Sequence, residues 1–134
     1  MTPTEKTMTI HHAGAQRYVT RNAGGQQLII DMTPEQSLGV GPMDAVFGAL
    51  AACTMSDIVN ILEKRRTPAT RYRVELTGKR DGDASPPRYY HYLMRHYVSG
   101  PGITQQDVEK AAHLSHEKYC SVALMLNKAA TVTH

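Results

Sequence analysis

The fold class of this chain is decided by MDAVFGALAACTMSDIVNILEK, Met43 to Lys64. This stretch contains no proline and a single glycine, and its apolar side chains spread around most of a helical wheel. Pro42 and Pro68 flank it, as prolines do at the first turn of a helix and just past its end. The pattern predicts one long central helix, apolar nearly all round and therefore buried. Its polar side chains form a single stripe at spacings of three and four: Cys53, Ser56, Asp57, Asn60 and Lys64.

Alternating apolar and polar residues predict strands on both sides of this helix. Beyond the later strands, Thr104 and Asp107 resemble a capping box at the start of a helix that runs toward Cys120, and a short apolar helix follows at 122–126. The order is three strands, a helix, two strands, two helices and a last strand, which predicts an α+β fold with antiparallel sheets packed on the long helix. The predicted strands are 8–12, 17–21, 28–30, 72–79, 88–98 and 131–133.

Length and composition restrict the class of protein further. The 134 residues fit a single domain over 1–134, and 41% hydrophobic with 20% charged residues is ordinary globular usage. The net charge of +3 is small, and Lys64-Arg65-Arg66 is expected to be a solvated helix end, so no nucleic-acid partner is expected. The chain has no run of 18 apolar residues and no apolar leader at residues 1–9, which predicts a cytoplasmic protein without a membrane-spanning helix.

The chain has two cysteines, Cys53 and Cys120. A structural disulfide is not expected in a reducing cytosol, so these thiols are either small buried hydrophobes or redox-active groups. His113, His116 and Cys120 are spaced by three and four residues and could share a helical face, but a fourth metal ligand is missing. We therefore expect surface histidines and no metal site. Whether Cys53 and Cys120 are inert buried side chains or redox-active groups decides the function.

The tyrosines at 89, 90, 92 and 97 raise the possibility of a base-stacking platform. Strict strand alternation places Tyr89 and Tyr97 on one face of the strand and Tyr90 and Tyr92 on the other. A stacking platform needs these rings together beside positive charge, so we expect them to serve in core and dimer packing instead.

Residues 41–62, around GPMD and ALAAC, and residues 114–126, around EKYCS, resemble the OsmC/Ohr superfamily, the osmotically inducible and organic-hydroperoxide-resistance proteins. Within this superfamily the chain most resembles the YhfA-like branch. The resemblance runs from about Gln27 to His134. It implies an OsmC-like fold in which two chains intertwine into an obligate homodimer, with active sites at the subunit interface. It also implies thiol peroxidase chemistry without a haem, flavin or metal cofactor.

By position in that family, Cys53 matches the peroxidatic cysteine and Cys120 the resolving cysteine. The implied cycle begins when the Cys53 thiolate reduces a small organic hydroperoxide and becomes a sulfenic acid, which Cys120 converts into a disulfide. A dithiol or thiol reductant then restores the pair. An apolar wall of Phe47, Leu50 and Met55 would favour bulky organic peroxides over hydrogen peroxide.

A neighbouring cation has to favour the reactive thiolate, since a free thiol is only a few per cent ionised at neutral pH. The hydroperoxide-resistance branch places a Glu after the motif proline, where it orients an Arg from the N-terminal strands; here that position is Met43, followed by Asp44. Arg17 and Arg21 are the available arginines, and Arg17 is our candidate. The missing Glu leaves an alternative open: a non-catalytic redox-responsive or small-ligand-binding stress protein of the same fold.

Overall fold

The computed structural model describes residues 2–134 and has two compact units, one ending at Val46 and the other running from Phe47 to His134. The predicted α+β class and the predicted order of elements are confirmed. A single domain over 1–134 stays a prediction. The elements are β1 (Thr9–His12), β2 (Arg17–Arg21), β3 (Gln27–Asp31), α1 (Pro42–Lys64), β4 (Arg71–Asp81), β5 (Arg88–Ser99), α2 (Gln105–Leu114), a π-helical turn (Ser115–Tyr119), α3 (Ser121–Leu126) and β6 (Thr131–Thr133).

The N-terminal unit is an antiparallel sheet in the order β1-β2-β3. Register pairs Arg17 with Asp31, so the first residue of β2 lies opposite the last residue of β3. The Asp31 carboxylate also accepts hydrogen bonds from the backbone N–H groups of Thr33 (2.8 Å) and Leu38 (2.7 Å). This buried side chain therefore orders the loop between β3 and α1.

The start of α1 agrees with the sequence prediction. Pro42 is the first helical residue, where its missing N–H has no partner to lose. The Gly41 N–H donates to Asp44 Oδ2 at 3.3 Å, which satisfies one donor at the helix terminus. Asp44 therefore caps the helix, and its carboxylate does not stand in for the Glu that the family motif carries at Met43.

The core of the C-terminal unit forms where α1 packs against β4 and β5, a hairpin as predicted, with β6 parallel to β5. The prediction that α1 is buried nearly all round is wrong for the single chain. Only Leu50, Thr54, Ile58 and Leu62 are fully buried, one residue per turn on one stripe. One chain supplies a covering layer on one side of α1 only.

The apolar character of α1 also bears on the membrane argument. Its most apolar 18-residue window has a mean hydropathy of 1.7, and by length and composition the helix could cross a membrane. The absence of an unbroken apolar run therefore does not exclude a span, as the sequence argument assumed. The core helix of a water-soluble protein can have the same length and hydropathy, so these two properties of α1 do not distinguish a core helix from a membrane span.

A β-bulge in β5 changes the predicted arrangement of the tyrosines. Lys79 pairs with His91 but Arg80 pairs with Tyr89, so Tyr90 is an extra residue without a partner. The bulge turns Tyr89 to the same face as Tyr92, and their rings stack with centroids 6.0 Å apart. The prediction that they lie on opposite faces is wrong, because alternation fails wherever a strand carries an extra residue.

The second helical region confirms the predicted capping box: Thr104 Oγ1 accepts from the Asp107 N–H, and Asp107 Oδ2 accepts from the Thr104 N–H. The helix does not run unbroken toward Cys120, however. It widens into the π-helical turn, where the Cys120 N–H donates to the Ser115 carbonyl five residues earlier at 2.8 Å. The wider turn breaks the i+3 and i+4 relationship predicted for His113, His116 and Cys120.

Candidate functional site

The two predicted thiols lie together in the C-terminal unit. Cys53 comes from the middle of α1 and is partly buried, whereas Cys120 joins the π-helical turn to α3 and is 2% exposed. Both belong to one apolar cluster that includes Leu50, Met94 and Ala123. The sequence separation of 67 residues is thus closed by packing of the α3 region against α1, and both cysteines are free thiols.

Cys120 is surrounded by hydrogen-bond donors as well as apolar groups. Its sulfur accepts from the Ala123 N–H at 3.3 Å and from Thr54 Oγ1 at 3.5 Å. Burial and then the hydrogen bond and charge of the adjacent Cys53 sulfur raise the pKa of Cys120, and the Ala123 and Thr54 donors only partly oppose this. The raised pKa favours the protonated form of Cys120, and Cys53 is the more accessible of the two sulfurs to a reagent from solvent.

A buried side-chain hydrogen bond connects the π-helical turn to α1. Ser115, fully buried at the first residue of the turn, donates from its hydroxyl to Asp57 Oδ2 at 2.7 Å. Asp57 lies one helical turn beyond Cys53, while Ser115 also accepts the backbone N–H of Cys120. One serine thus connects the helix that carries Cys53 to the backbone of Cys120.

A small cavity of about 70 Å³ opens beside Cys120. Its walls come from the π-helical turn and the start of α3, and Lys118 and Tyr119 supply a cation and a phenol there. The volume suits a small polar group rather than a whole organic molecule. The cavity gives solvent-borne reagents an approach to a sulfur that is otherwise enclosed.

The third predicted site residue, Arg17, belongs to the N-terminal unit. Its Nε donates to Asp31 Oδ2 at 3.1 Å and its Nη2 donates to the Gln36 carbonyl at 3.1 Å. Burial of Asp31 opposes its ionisation, but the donors of Leu38, Thr33 and Arg17 prevail and hold the pKa of Asp31 well below its ordinary range. The Arg17 guanidinium is therefore held in one orientation by a permanently charged carboxylate.

Sequence reasoning missed Thr54 and Asp31. Thr54 directly follows Cys53 on the buried stripe of α1, and its contact with Cys120 could not be found without knowing how the α3 region packs. Asp31 had a local signal, because an Asp at a strand end followed two residues later by Thr is typical of a turn closed through the carboxylate. The pairing of Arg17 with Asp31 follows once the β2–β3 register is known.

The fold is α+β and brings two free thiols together, one on a long helix and one after a π-helical turn. The sequence profile described as OsmC-like protein matches residues 34–134, and the chain belongs to this family. It is 36% identical over 118 residues to Protein YhfA of Escherichia coli strain K12, which covers 87% of this chain and 86% of that protein.

Two solved structures show the same fold. An OsmC-like protein of unknown function from Vibrio cholerae superposes with a TM-score of 0.78 at 20% identity, covering 98% of this chain and 99% of that one. An organic hydroperoxide resistance protein OsmC from Legionella pneumophila superposes with a TM-score of 0.67 at 15% identity, covering 99% and 96%. The resemblance to the OsmC/Ohr superfamily and its YhfA-like branch, stated from the sequence, is confirmed.

Proposed function

We propose that this protein is a cysteine-based thiol peroxidase that reduces organic hydroperoxides. The observation that carries the proposal is the pairing of a partly accessible Cys53 with a buried Cys120 that remains a thiol. Such a pair combines a nucleophile that meets the peroxide with a second sulfur that forms a disulfide. Phe47 and Leu50 belong to the same apolar cluster as Cys53 and supply the apolar surroundings that an organic peroxide requires, whereas Met55, two residues after Cys53 on the helix, lies on the opposite side.

The proposed cycle runs in three steps. The Cys53 thiolate attacks one peroxide oxygen, the O–O bond breaks, the alcohol leaves with a proton, and the sulfur becomes a sulfenic acid. Cys120 attacks that sulfur, water leaves, and the Cys53–Cys120 disulfide forms. A dithiol reductant then supplies two electrons and two protons, which restores both thiols without any bound cofactor.

We propose that Arg17 activates Cys53 and that Asp31 orients Arg17. The family motif orients its arginine through a Glu at the position where this chain has Met43. Asp31 is ionised, buried and bonded to Arg17 Nε, and it is therefore our candidate for the carboxylate that orients Arg17. Arg17 is accordingly a catalytic candidate, and Asp31 is a positioning residue that acts through it.

The working form is proposed to be a cytoplasmic homodimer with one OsmC-like domain over 1–134. A single chain leaves one side of α1 uncovered and exposes many large apolar side chains, which is unusual unless another surface covers them. The exposed set in the N-terminal unit is Met8, Ile10, Leu28, Ile29, Met32, Leu38, Val40 and Met43. Sedimentation at micromolar concentration should give twice the chain mass.

The decisive experiment measures peroxide consumption with cumene hydroperoxide, tert-butyl hydroperoxide and hydrogen peroxide, using a dithiol as reductant. We expect turnover by the natural chain, faster with the organic peroxides, and none above the rate of free thiol in Cys53→Ser. Ser56→Ala serves as the matched control because Ser56 is an exposed residue on the same helix. Equal rates in Cys53→Ser and the natural chain contradict the proposal.

One observation favours a second candidate function, a redox-responsive or small-ligand-binding stress protein without turnover. The family Glu is absent at Met43, and Asp44 is engaged in capping α1. This candidate predicts slow oxidation of Cys53 that no dithiol converts into sustained turnover. The same assay therefore separates the two functions.

A further inference from the structure

A cluster of three imidazoles lies on the C-terminal unit, in side chains that the proposed peroxidase cycle does not use. His96 projects from β5, His134 follows β6, and His116 comes from the π-helical turn. The His96 and His134 rings stack with centroids 5.3 Å apart, and the His116 ring meets His134 edge-on at 5.6 Å. All three line a groove of about 1040 Å³ that is open to solvent.

The ring nitrogens of two histidines in this cluster face each other. His96 Nε2 and His134 Nδ1 are 3.0 Å apart, and Tyr72 Oη lies 2.7 Å from His96 Nδ1. Two nitrogen ligands 2.1 Å from one metal ion are about 3.0 Å apart at right angles and about 3.4 Å apart in a tetrahedron. The observed N–N spacing is that of a hydrogen bond between the two rings and matches two ligands at right angles, so both nitrogens can reach one ion once the rings turn toward it.

The hydrogen bond between His96 and Tyr72 has the form of an outer-shell contact. A histidine that ligates a metal typically donates its other ring N–H to an oxygen, which fixes its tautomer and orientation. If His96 Nδ1–H donates to Tyr72 Oη, the lone pair of His96 Nε2 accepts the hydrogen bond from His134 Nδ1–H, and a metal ion would take the place of that hydrogen. Burial raises the pKa of Tyr72 above its ordinary value, so the phenol is neutral and its oxygen can accept the hydrogen bond from His96.

His116 supplies the second, independent observation. Its Nδ1 is buried and has no hydrogen-bond partner, which is uncommon for a polar atom inside a protein. Among residues 2–134 no three histidine, cysteine or carboxylate groups already converge on one point, so His116 joins only after its ring rotates. His116 is our candidate for the third ligand because its Nδ1 has no hydrogen-bond partner and its ring lies beside His134.

We propose that His96 and His134 bind a borderline transition-metal ion such as Zn²⁺, Ni²⁺ or Cu²⁺, with His116 recruited as a third ligand and water completing the shell. Imidazole nitrogens are suited to these metals. An anion is a poorer occupant, because burial lowers the pKa of His96 and keeps its ring largely uncharged at neutral pH. Both rings coordinate as neutral groups through a change of tautomer, so no net proton is released.

The test is calorimetric titration of the full, tag-free chain with Zn²⁺. One equivalent is expected to bind, about a hundredfold more weakly in His96→Gln and His134→Gln and about tenfold more weakly in Tyr72→Phe. His113→Gln, which changes an exposed histidine on the same groove wall, is the matched control and should bind as the natural chain does. If His96→Gln fails to fold, His134→Gln gives the answer.

Cobalt spectroscopy separates this site from the thiols, which also bind zinc. The proposal requires a Co²⁺ complex without a thiolate charge-transfer band, and unchanged stoichiometry in Cys53→Ser. No binding by the natural chain, equal affinity in His134→Gln, or a thiolate band overturns it. These outcomes are independent of peroxide turnover, which His134→Gln should retain, so the metal site and the peroxidase proposal can fail separately.

Discussion

Thr54 donates its hydroxyl hydrogen bond to the sulfur of Cys120, 3.5 Å away, from the residue directly after Cys53. The donor favours the Cys120 thiolate and thereby opposes the effect of burial on its pKa. Replacing Thr54 by the isosteric Val should raise the pKa of Cys120 further, since the variant loses a hydrogen bond of about 1 kcal/mol that favours the thiolate. Thiolate absorbance in Cys53→Ser and Cys53→Ser/Thr54→Val chains measures the shift, and identical titrations would count against a role for this donor.

Removal of the second thiol should stop the proposed cycle after one turnover. In Cys120→Ser, the Cys53 sulfenic acid has no neighbouring thiol with which to condense, so it persists when a single equivalent of peroxide is added. Mass spectrometry with a sulfenic-acid reagent should detect one adduct per chain, confined to Cys53. A disulfide-linked species or no adduct at all would show that Cys120 does not resolve the intermediate.

Asp31→Asn should remove an acid-sensitive contribution to stability in the N-terminal unit. The pKa of Asp31 is held below its unfolded value, so its stabilising effect is present at neutral pH and is lost as the pH falls below about 4. Urea denaturation at pH 7 and pH 3 should show a larger loss for the natural chain than for Asp31→Asn.

The same Asp31→Asn variant should also lower the peroxide rate if Asp31 orients Arg17. Asp44→Asn is the matched control, because this carboxylate caps α1 and does not touch Arg17. Equal peroxide rates in both variants would remove Asp31 from the mechanism while leaving its role in stability.

The histidine cluster should make the C-terminal unit sensitive to mild acid. Desolvation and then the charges of His96 and His116 lower the pKa of His134 to about 4, so the unfolded chain binds a proton more readily than the folded one. The free energy of unfolding should therefore fall as the pH drops from about 6.5 toward 4, with no such loss above pH 7. Thermal melting of the metal-free chain should show a smaller acid shift in His134→Gln, with His113→Gln behaving as the natural chain.

The helices and strands could be predicted because their signals are local. The apolar pattern of α1, the Thr104–Asp107 capping box and the β4–β5 hairpin all appear as predicted. The prediction that Cys53 and Cys120 meet came from the family resemblance rather than from periodicity, and the structure brings them together. Their redox roles stay predictions.

The features that were missed depend on extra residues and on tertiary packing. The additional residue at Tyr90 reverses the face of Tyr89, and no local pattern indicates where a strand carries such an insertion. The extent of burial of α1 depends on what packs against the helix, which its own sequence does not contain. Polar partners such as Asp31 and Thr54 become visible only when register and helix packing are known.

The π-helical turn makes the second thiol sensitive to chain length. Its i+5 hydrogen bond from Cys120 to Ser115 accommodates one residue more than an ordinary α-helical turn would. Inserting one further residue between them would exceed what this wide turn accommodates and would rotate the downstream chain by about 100° about the helix axis. A single-codon insertion at 116–119 would thus leave the helical content nearly intact while moving the Cys120 sulfur away from Cys53, a defect that circular dichroism would miss and a thiol-pairing assay would reveal.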